Sequence, residues 1–211
     1  MPSPFDQSTY QVRLDWGLAG LARLAEADVV VIVDVLHFSS RLADAVADGT
    51  AIDLAEAAVW STDSVAPALA VTAAAGGATV LVGGIRNATA VARTVQAIQE
   101  ERQARTSVAL IAAGERDGSN DVRFAVEDHL AAGAIIAALT DLGIDHTAPD
   151  AAVAAEGFRA LRRALGHLVS ASGSARDTAD AADADAVAAA SRLDAVSAVP
   201  VLRDRAFTAF A

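Results

Sequence analysis

One carboxylate lies inside the most apolar stretch of the sequence. Asp34 lies within the short β-branched run Val29–Leu36, which is typical of a central strand covered on both faces. A carboxylate in such a place loses hydration, so it needs a cation or hydrogen-bond donors to stay ionised. Asp34 can be a metal ligand or a phosphate-handling nucleophile, or it can cap the following loop. Because carboxylates with perturbed pKa values are common in active sites, Asp34 is the first candidate catalytic residue.

Three further carboxylates lie near the ends of predicted elements. Glu115 follows an apolar run and lies between two glycines, while Glu127 and Asp128 stand near the start of a predicted helix. Mg²⁺ is usually held by one or two carboxylates together with waters and substrate phosphate. Asp34, Glu115, Glu127 and Asp128 are therefore the candidate ligands of a Mg²⁺ cofactor. Alternatively, Glu127 and Asp128 only complement the dipole of their helix.

Several polar residues could hold an anion. Arg86 and Arg116 can grip a phosphate with two parallel hydrogen bonds, although single loop arginines more often form surface salt bridges. Asn87 opens a predicted helix, where it can donate to an anion or act as a plain N-cap. Ser39 and Ser40 can cap the helix that follows them, and they are also candidate substrate-binding residues. The candidate catalytic set is thus Asp34 with Asn87 and Arg116.

The four histidines do not form a recognisable motif. Their spacing matches no metal-ligand pattern, and none is paired in sequence with a candidate nucleophile. His129, His146 and His167 are interpreted as structural. His37 is assigned no role from its spacing alone.

The elements that must position these side chains alternate between strands and helices. The apolar runs predict strands at Tyr10–Leu14, Val29–Leu36, Ala78–Val82 and Ser107–Ala112. Helical spacing predicts helices at Gly17–Ala27, Arg41–Ala47, Ala66–Ala75, Asn87–Arg105, Ala125–Leu139, Pro149–Leu168 and Asp177–Val196.

This alternation predicts one α/β domain over residues 1–211, a three-layer arrangement with a parallel or mixed sheet flanked by helices. After the last predicted helix, Pro200-Val201-Leu202 leads into a short tail. Ligands bind at the carboxyl edge of such sheets. The polar clusters Asp34–Ser40, Gly83–Thr89 and Gly114–Asp117 are therefore expected to meet in space.

The composition of the chain argues against several kinds of binding partner and cellular environment. The net charge is −11 and lysine is absent, so the surface repels nucleic-acid backbones and nucleic-acid binding is not expected. The most apolar run is far shorter than the ~20 residues of a membrane span, and the N-terminus has no secretory pattern. There is no cysteine, which excludes disulfides and fits a reducing cytoplasm. The expected protein is cytoplasmic, and its alanine-rich helices are compatible with a homodimer.

Taken together, the motifs resemble the 2-phosphosulfolactate phosphatase family. The resemblance covers most of the chain outside Ala51–Ala78, with weaker similarity at Ser172-Gly173 and Val199-Pro200. It is carried, in the family's order and spacing, by the stretches Asp28–Ser40, Ile85–Ala92, Ala113–Arg116, Ala125–Asp128 and Gly133–Ile136.

The resemblance implies a Mg²⁺-dependent phosphatase that hydrolyses a small anionic phosphomonoester. In this family the reaction converts 2-phospho-3-sulfolactate to 3-sulfolactate and phosphate, a step associated with coenzyme M synthesis. The family's motif positions are occupied here by Asp34, Asn87, Glu115, Arg116, Glu127 and Asp128. Whether water or Asp34 is the nucleophile stays open.

Two features depart from the family pattern. His37 stands where family members usually have arginine. The family's Ser-Pro-Asn-Gly-Ser loop is absent, and the segment Ala51–Gly84 looks shortened. Losing a preorganised anion cradle costs about 10²–10³ in rate per lost donor. The alternative reading is a family member that has lost catalysis and binds a small anion or a protein.

Overall fold

The computed structural model describes residues 3–61, 64–116, 122–177 and 181–210. The strands within these ranges are β1 (Val12–Trp16), β2 (Val29–Val33), β3 (Ile52–Asp53), β4 (Thr79–Gly83), β5 (Val108–Ala112), β6 (Glu115–Arg116), β7 (Val122–Arg123), β8 (Pro200–Arg203) and β9 (Ala206–Ala209). The helices are α1 (Gly17–Arg23), α2 (Ser40–Ala47), α3 (Leu54–Trp60), α4 (Ala66–Ala75), α5 (Ala88–Arg102), α6 (Val126–Asp141), α7 (Pro149–Leu161), α8 (Leu165–Ser170), α9 (Gly173–Asp177) and α10 (Ala181–Ala190). Short π and 3₁₀ turns cover Val35–Ser39, Ile85–Asn87 and Arg162–Ala164.

In the described part of the chain, seven strands form one mixed sheet in the order β1-β5-β2-β4-β8-β9-β3. The first four strands of this order are parallel, and the remaining pairs are antiparallel. Strands β6 and β7 form a separate two-stranded ribbon. The parallel strands therefore bring the carboxyl ends of β2, β4 and β5 to one edge.

The β-branched run of β2 is buried because helices cover both faces of the sheet. Val29, Val31 and Val33 face a core shared with α5, α6 and α7, whereas Val30 and Ile32 face a core shared with α2 and α4. Alternate residues of a strand point to opposite faces, so an uninterrupted apolar run is what two covered faces require. The predicted three-layer α/β arrangement with a mixed sheet is confirmed.

Close helix packing explains one of the stretches that carry the family resemblance. A Cβ at Gly133 in α6 would collide with the carbonyl oxygen of Ala154 in α7. Only glycine permits this approach of the two backbones. The Gly133–Ile136 stretch thus holds α7 against α6 and the core.

Several predicted boundaries are wrong, and the first predicted helix, for example, ends at Arg23 and not at Ala27. The strand predicted to Leu36 ends at Val33, because the backbone then turns into the π-helical segment. The helix predicted over Pro149–Leu168 is interrupted by the 3₁₀ turn between α7 and α8. The last predicted helix, Asp177–Val196, is also too long: positions 178–180 lie outside the described residues, and α10 ends at Ala190.

The predicted tail is instead a β-hairpin that completes the sheet. Strands β8 and β9 pair antiparallel and connect β4 to β3. Asp204 and Arg205 form the turn with φ values of 47° and 67°. This left-handed turn is usually marked by Asn-Gly or Asp-Gly, so Asp-Arg gives little sequence signal.

Candidate active site

Asp34 lies immediately after β2, and the turn that follows wraps around its carboxylate. Its Oδ1 accepts a hydrogen bond from the backbone N–H of His37 at 3.1 Å. Its Oδ2 accepts from the hydroxyl of Ser64, which in turn accepts from the backbone N–H of Ala66 at the start of α4. Asp34 is only 3% exposed, so the predicted burial of this carboxylate is confirmed, although the strand ends before it and not at Leu36.

Asp128 reaches the same place from the first turn of α6. Its Oδ1 accepts from the backbone N–H of Val35 at 2.8 Å, and its Oδ2 accepts from the N–H of Gly114 at 2.9 Å. One carboxylate therefore fastens the loop after β2 to the loop after β5. The two strand ends that the sequence placed at one edge are joined through this side chain.

The two aspartates repel each other in a buried setting. Burial raises the pKa of Asp128 well above its ordinary value, and the charge of Asp34 raises it further. Burial also raises the pKa of Asp34, more than the neighbouring His37 and Ser64 lower it. Carboxylates that share a site in this way favour a proton or a bound cation between them.

Glu127 precedes Asp128 and is equally buried. It is 2% exposed, and its Oε2 atom has no hydrogen-bond partner. Its charge adds to the effects that raise the pKa of Asp128. A role limited to complementing the helix dipole does not explain a buried carboxylate oxygen without a partner, because such an atom is costly.

Glu115 joins the site through His37. Its Oε1 lies 3.1 Å from His37 Nε2, and Ser174 in α9 also donates to Glu115. The hydrogen bond to Glu115 and the charge of Asp34 raise the pKa of His37 to about 9. A pKa of about 9 favours the protonated form of His37 at neutral pH, which would place a positive charge beside Asp34 and Glu115.

Arg86 lies close to the Val35–Ser39 turn. Its Nη1 is 2.5 Å from Asp44 Oδ2, while its buried Nε has no partner. It lines a cavity of about 370 Å³ together with His37, Arg41 and Ser40. The predicted anion-binding arginine is thus near the candidate site, but it already forms an ion pair.

The polar atoms of Asn87, Ser39 and Ser40 hydrogen-bond to nearby backbone. Asn87 Oδ1 accepts from Gly84 N–H, and its Nδ2 donates to the carbonyls of Val82 and Ala198. Ser39 Oγ accepts from the N–H of Asp34, and Ser40 Oγ donates to the carbonyl of Val35. The expected helix capping by these side chains is wrong, since they fix the strand ends and the turn instead.

Arg116 is separated from the carboxylates. It is exposed and lines a different cavity with Asp15, Trp16 and Val122. Its predicted neighbour Asp117 lies outside the described residues. The structure therefore brings together Asp34, Glu115, Glu127 and Asp128, and it leaves Arg116 apart.

Sequence reasoning missed Ser64, Ser174 and the pairing of His37. Ser64 lies 30 residues from Asp34 and Ser174 lies 59 residues from Glu115, so no local pattern links them. Ser64 comes just before a helix with Pro67 in its first turn, a sequence signal for a cap and not for a partner of Asp34. The segment that looks shortened in sequence nonetheless supplies the hydroxyl on Asp34.

The donor chemistry fits Mg²⁺, although no group of three or more His, Asp or Glu residues in the described ranges has the geometry of a metal cluster. Asp34 and Asp128 offer hard oxygen atoms, and their carboxylates repel one another. A cation bound between them would reduce this electrostatic repulsion. Mg²⁺ commonly uses only one or two carboxylates. Asp34 and Asp128, with the partnerless Oε2 of Glu127, are the residues that would hold it.

The protein is a three-layer α/β protein with a mixed sheet, and its candidate carboxylates lie at the carboxyl ends of the parallel strands. Comparison with family models identifies the family: the model described as 2-phosphosulpholactate phosphatase matches residues 54–205. The chain belongs to this family. The match includes most of Ala51–Ala78, which the resemblance in sequence had left out, and it begins after the Asp28–Ser40 stretch. Comparison with curated proteins finds no match.

No helix in the described part of the chain is both long and apolar enough to cross a lipid bilayer.

Proposed function

We propose that this protein is a Mg²⁺-dependent phosphatase of a small anionic phosphomonoester, with 2-phospho-3-sulfolactate as the substrate that the family suggests. The observation that carries the proposal is the convergence of Asp34 and Asp128 on one buried spot, joined through Val35 and Gly114. A cation bound between Asp34 and Asp128 would lower the raised pKa values of both carboxyl groups. The products would be 3-sulfolactate and inorganic phosphate.

Bound Mg²⁺ would neutralise phosphate charge and lower the pKa of a bound water. Each of the protein's own residues in the site would then have a distinct role. Asp128 holds the two loops at a fixed distance through its pair of N–H bonds. The backbone N–H of His37 and the hydroxyl of Ser64 fix the orientation of the Asp34 carboxylate. The His37 imidazolium, hydrogen-bonded to Glu115, supplies positive charge toward an anionic substrate.

The experiment measures phosphate release from 2-phospho-3-sulfolactate and from p-nitrophenyl phosphate, with Mg²⁺ or with EDTA. We expect turnover only with Mg²⁺, and we expect Asp34→Asn to abolish it. Asp48→Asn, at the exposed end of α2, is the matched control and should leave the rate unchanged. Turnover that persists in EDTA, or in Asp34→Asn, would contradict the proposal.

A second candidate function is binding without catalysis. It is favoured by one observation: each oxygen of Asp34 and Asp128 already accepts a hydrogen bond from the protein. In this case the carboxylates mainly hold the loops, and the site binds a small anion or a protein partner. Thermal stabilisation by phosphate or sulfolactate without any turnover would support this candidate, and turnover would remove it.

A further inference from the structure

The ribbon formed by β6 and β7 carries two arginines on opposite faces. Glu115 lies directly across from Arg123, and Arg116 lies directly across from Val122. Side chains alternate along a strand, and directly opposed residues share a face. Glu115 and Arg123 therefore project from one face, and Arg116 and Val122 from the other.

The face that carries Arg116 is directed toward β1 and α1. Arg116 and Val122 line a cavity with Asp15 and Trp16. A Cβ at Gly17, the first residue of α1, would collide with the Val122 side chain, so this face is packed against the start of α1. Arg116 thus belongs to a surface that does not include the carboxylate cluster.

The face that carries Arg123 is directed toward the candidate active site. Glu115 contacts His37 at 3.1 Å and is hydrogen-bonded by Ser174. A Cβ at Gly173, next to Ser174, would collide with Nη2 of Arg123. The guanidinium of Arg123 therefore lies directly over the backbone of α9, beside Ser174 and on the same side of the ribbon as Glu115.

A site with four carboxylates must offer positive charge to an anionic substrate. Arg86 is paired with Asp44, Arg116 is on the far face, and His37 is paired with Glu115. Arg41 stacks on the Trp60 ring. Of the two ribbon arginines, Arg123 is the one on the Glu115 face; it is exposed to solvent, and its charge acts on Glu115. Its planar fork suits the bidentate grip of a phosphate or sulfonate group.

We infer that Arg123, and not Arg116, is the arginine that binds the anionic substrate, held in place over Gly173 on the Glu115 face of the ribbon. The inference rests on the proposed phosphatase function. It adds a substrate-binding residue that lies outside the predicted set, and it assigns α9 the task of positioning that residue.

The first test compares Arg123→Gln with Arg116→Gln in the phosphatase assay. Losing a charge-assisted hydrogen bond to substrate should raise KM roughly ten- to hundredfold in Arg123→Gln. Arg116→Gln should stay within about twofold of the wild type, since Arg116 lies on the ribbon face opposite to Glu115. Equal effects of the two variants, or a larger effect of Arg116→Gln, would overturn the inference.

The second test moves Arg123 without removing it. Gly173→Ala adds a methyl group where the guanidinium lies, and the flexible arginine must move aside. We expect KM to rise roughly tenfold with little change in melting temperature. Gly157→Ala, in α7 with no atom within 4 Å of its added Cβ, is the matched control. An unchanged KM in Gly173→Ala would count against the positioning role of α9.

A binding measurement separates failure of this inference from failure of the proposed function. Inorganic phosphate should raise the melting temperature of the wild type and of Arg116→Gln, and the shift should be lost in Arg123→Gln. If the wild type binds phosphate through Arg123 but has no turnover, the phosphatase proposal fails and the binding residue stands. If all three proteins shift equally, Arg123 is not the binding residue.

Discussion

The two ends of β2 each carry an aspartate, and the two residues differ in almost every physical respect. Asp28, before the strand, accepts hydrogen bonds from the backbone N–H and the hydroxyl of Ser107 at 2.7 Å, and from Arg102 at 2.5 Å. Burial opposes its charge, but these three donors outweigh burial and lower its pKa. Asp34, after the strand, has its pKa raised by burial.

The contrast between Asp28 and Asp34 shows that β2 carries a stabilising carboxylate at one end and a candidate functional carboxylate at the other. At the amino end, an acidic residue with enough donors holds two neighbouring strands and an α5 arginine together. At the carboxyl end, Asp34 faces a second buried carboxylate, Asp128, and no guanidinium lies within ion-pair distance of either among the described residues. The hydrogen bonds to Asp28 compensate the charge of that carboxylate. The repulsion between Asp34 and Asp128 is not compensated in this way, and a bound cation would reduce it.

The largest effect is expected at Asp128, which holds the two loops. Asp128→Asn presents an amide N–H₂ to a backbone N–H, so one buried donor at Val35 or Gly114 loses its acceptor. We expect at least about a 10³-fold fall in phosphatase rate and a loss of roughly 1–3 kcal/mol in the free energy of unfolding. Urea denaturation beside the assay checks both. A variant as stable as the wild type would show that these hydrogen bonds do not hold the loops.

The next largest effect concerns the stabilising end of β2. Asp28→Asn removes the charge that Arg102 and Ser107 bind, and it should cost about 2 kcal/mol in the free energy of unfolding with no change in turnover. Because the folded-state pKa of Asp28 is lowered, its stabilisation is complete above its unfolded pKa of ~3.9. It is lost as the pH falls further through the folded value.

Urea titrations at several pH values check the direction of this pH dependence of stability. The difference between wild type and Asp28→Asn should be constant near neutral pH and should shrink below about pH 4. A difference that grows on acidification would contradict the assignment of Asp28 as the stabilising partner.

A smaller effect is expected at Ser64, which supplies the hydroxyl on Asp34. Ser64→Ala removes one donor to the carboxylate and leaves the buried charge less well compensated. We expect about a tenfold fall in phosphatase rate and a further rise in the pKa of Asp34. Ser61→Ala, whose hydroxyl donates to the carbonyl of His37 instead, is the comparison variant and should slow turnover less.

The smallest expected effect has the opposite sign to that of Asp28→Asn. In Mg²⁺-free buffer, Asp34→Asn removes one of two repelling charges, and its amide can still donate to Ser64 and accept from His37 N–H. The protein should gain about 1 kcal/mol in the free energy of unfolding at neutral pH. Added Mg²⁺ should then raise the melting temperature of the wild type but not of the variant. A variant less stable than the wild type without Mg²⁺ would contradict the repulsion between Asp34 and Asp128.

Much of the fold was predictable because apolar periodicity is a local property. The parallel strands and most helices were placed within a few residues by their apolar runs, and the meeting of the carboxylates followed from the rule for parallel sheets. The β8–β9 hairpin was missed because its strands are short and its Asp204-Arg205 turn is atypical. The assignment of Arg116 to the substrate stays a prediction that the geometry of the ribbon does not favour.

The sequence alone therefore determined the class of fold, the buried position of Asp34 and the family, since each of these depends on residue type and order along the chain. Only the tertiary structure decided which arginine faces the carboxylates, which hydroxyl reaches Asp34 and which histidine becomes a cation. These depend on contacts between residues far apart in the chain and on the face of a two-residue strand. A shift of one residue reverses that face, and no local pattern in this sequence specifies it.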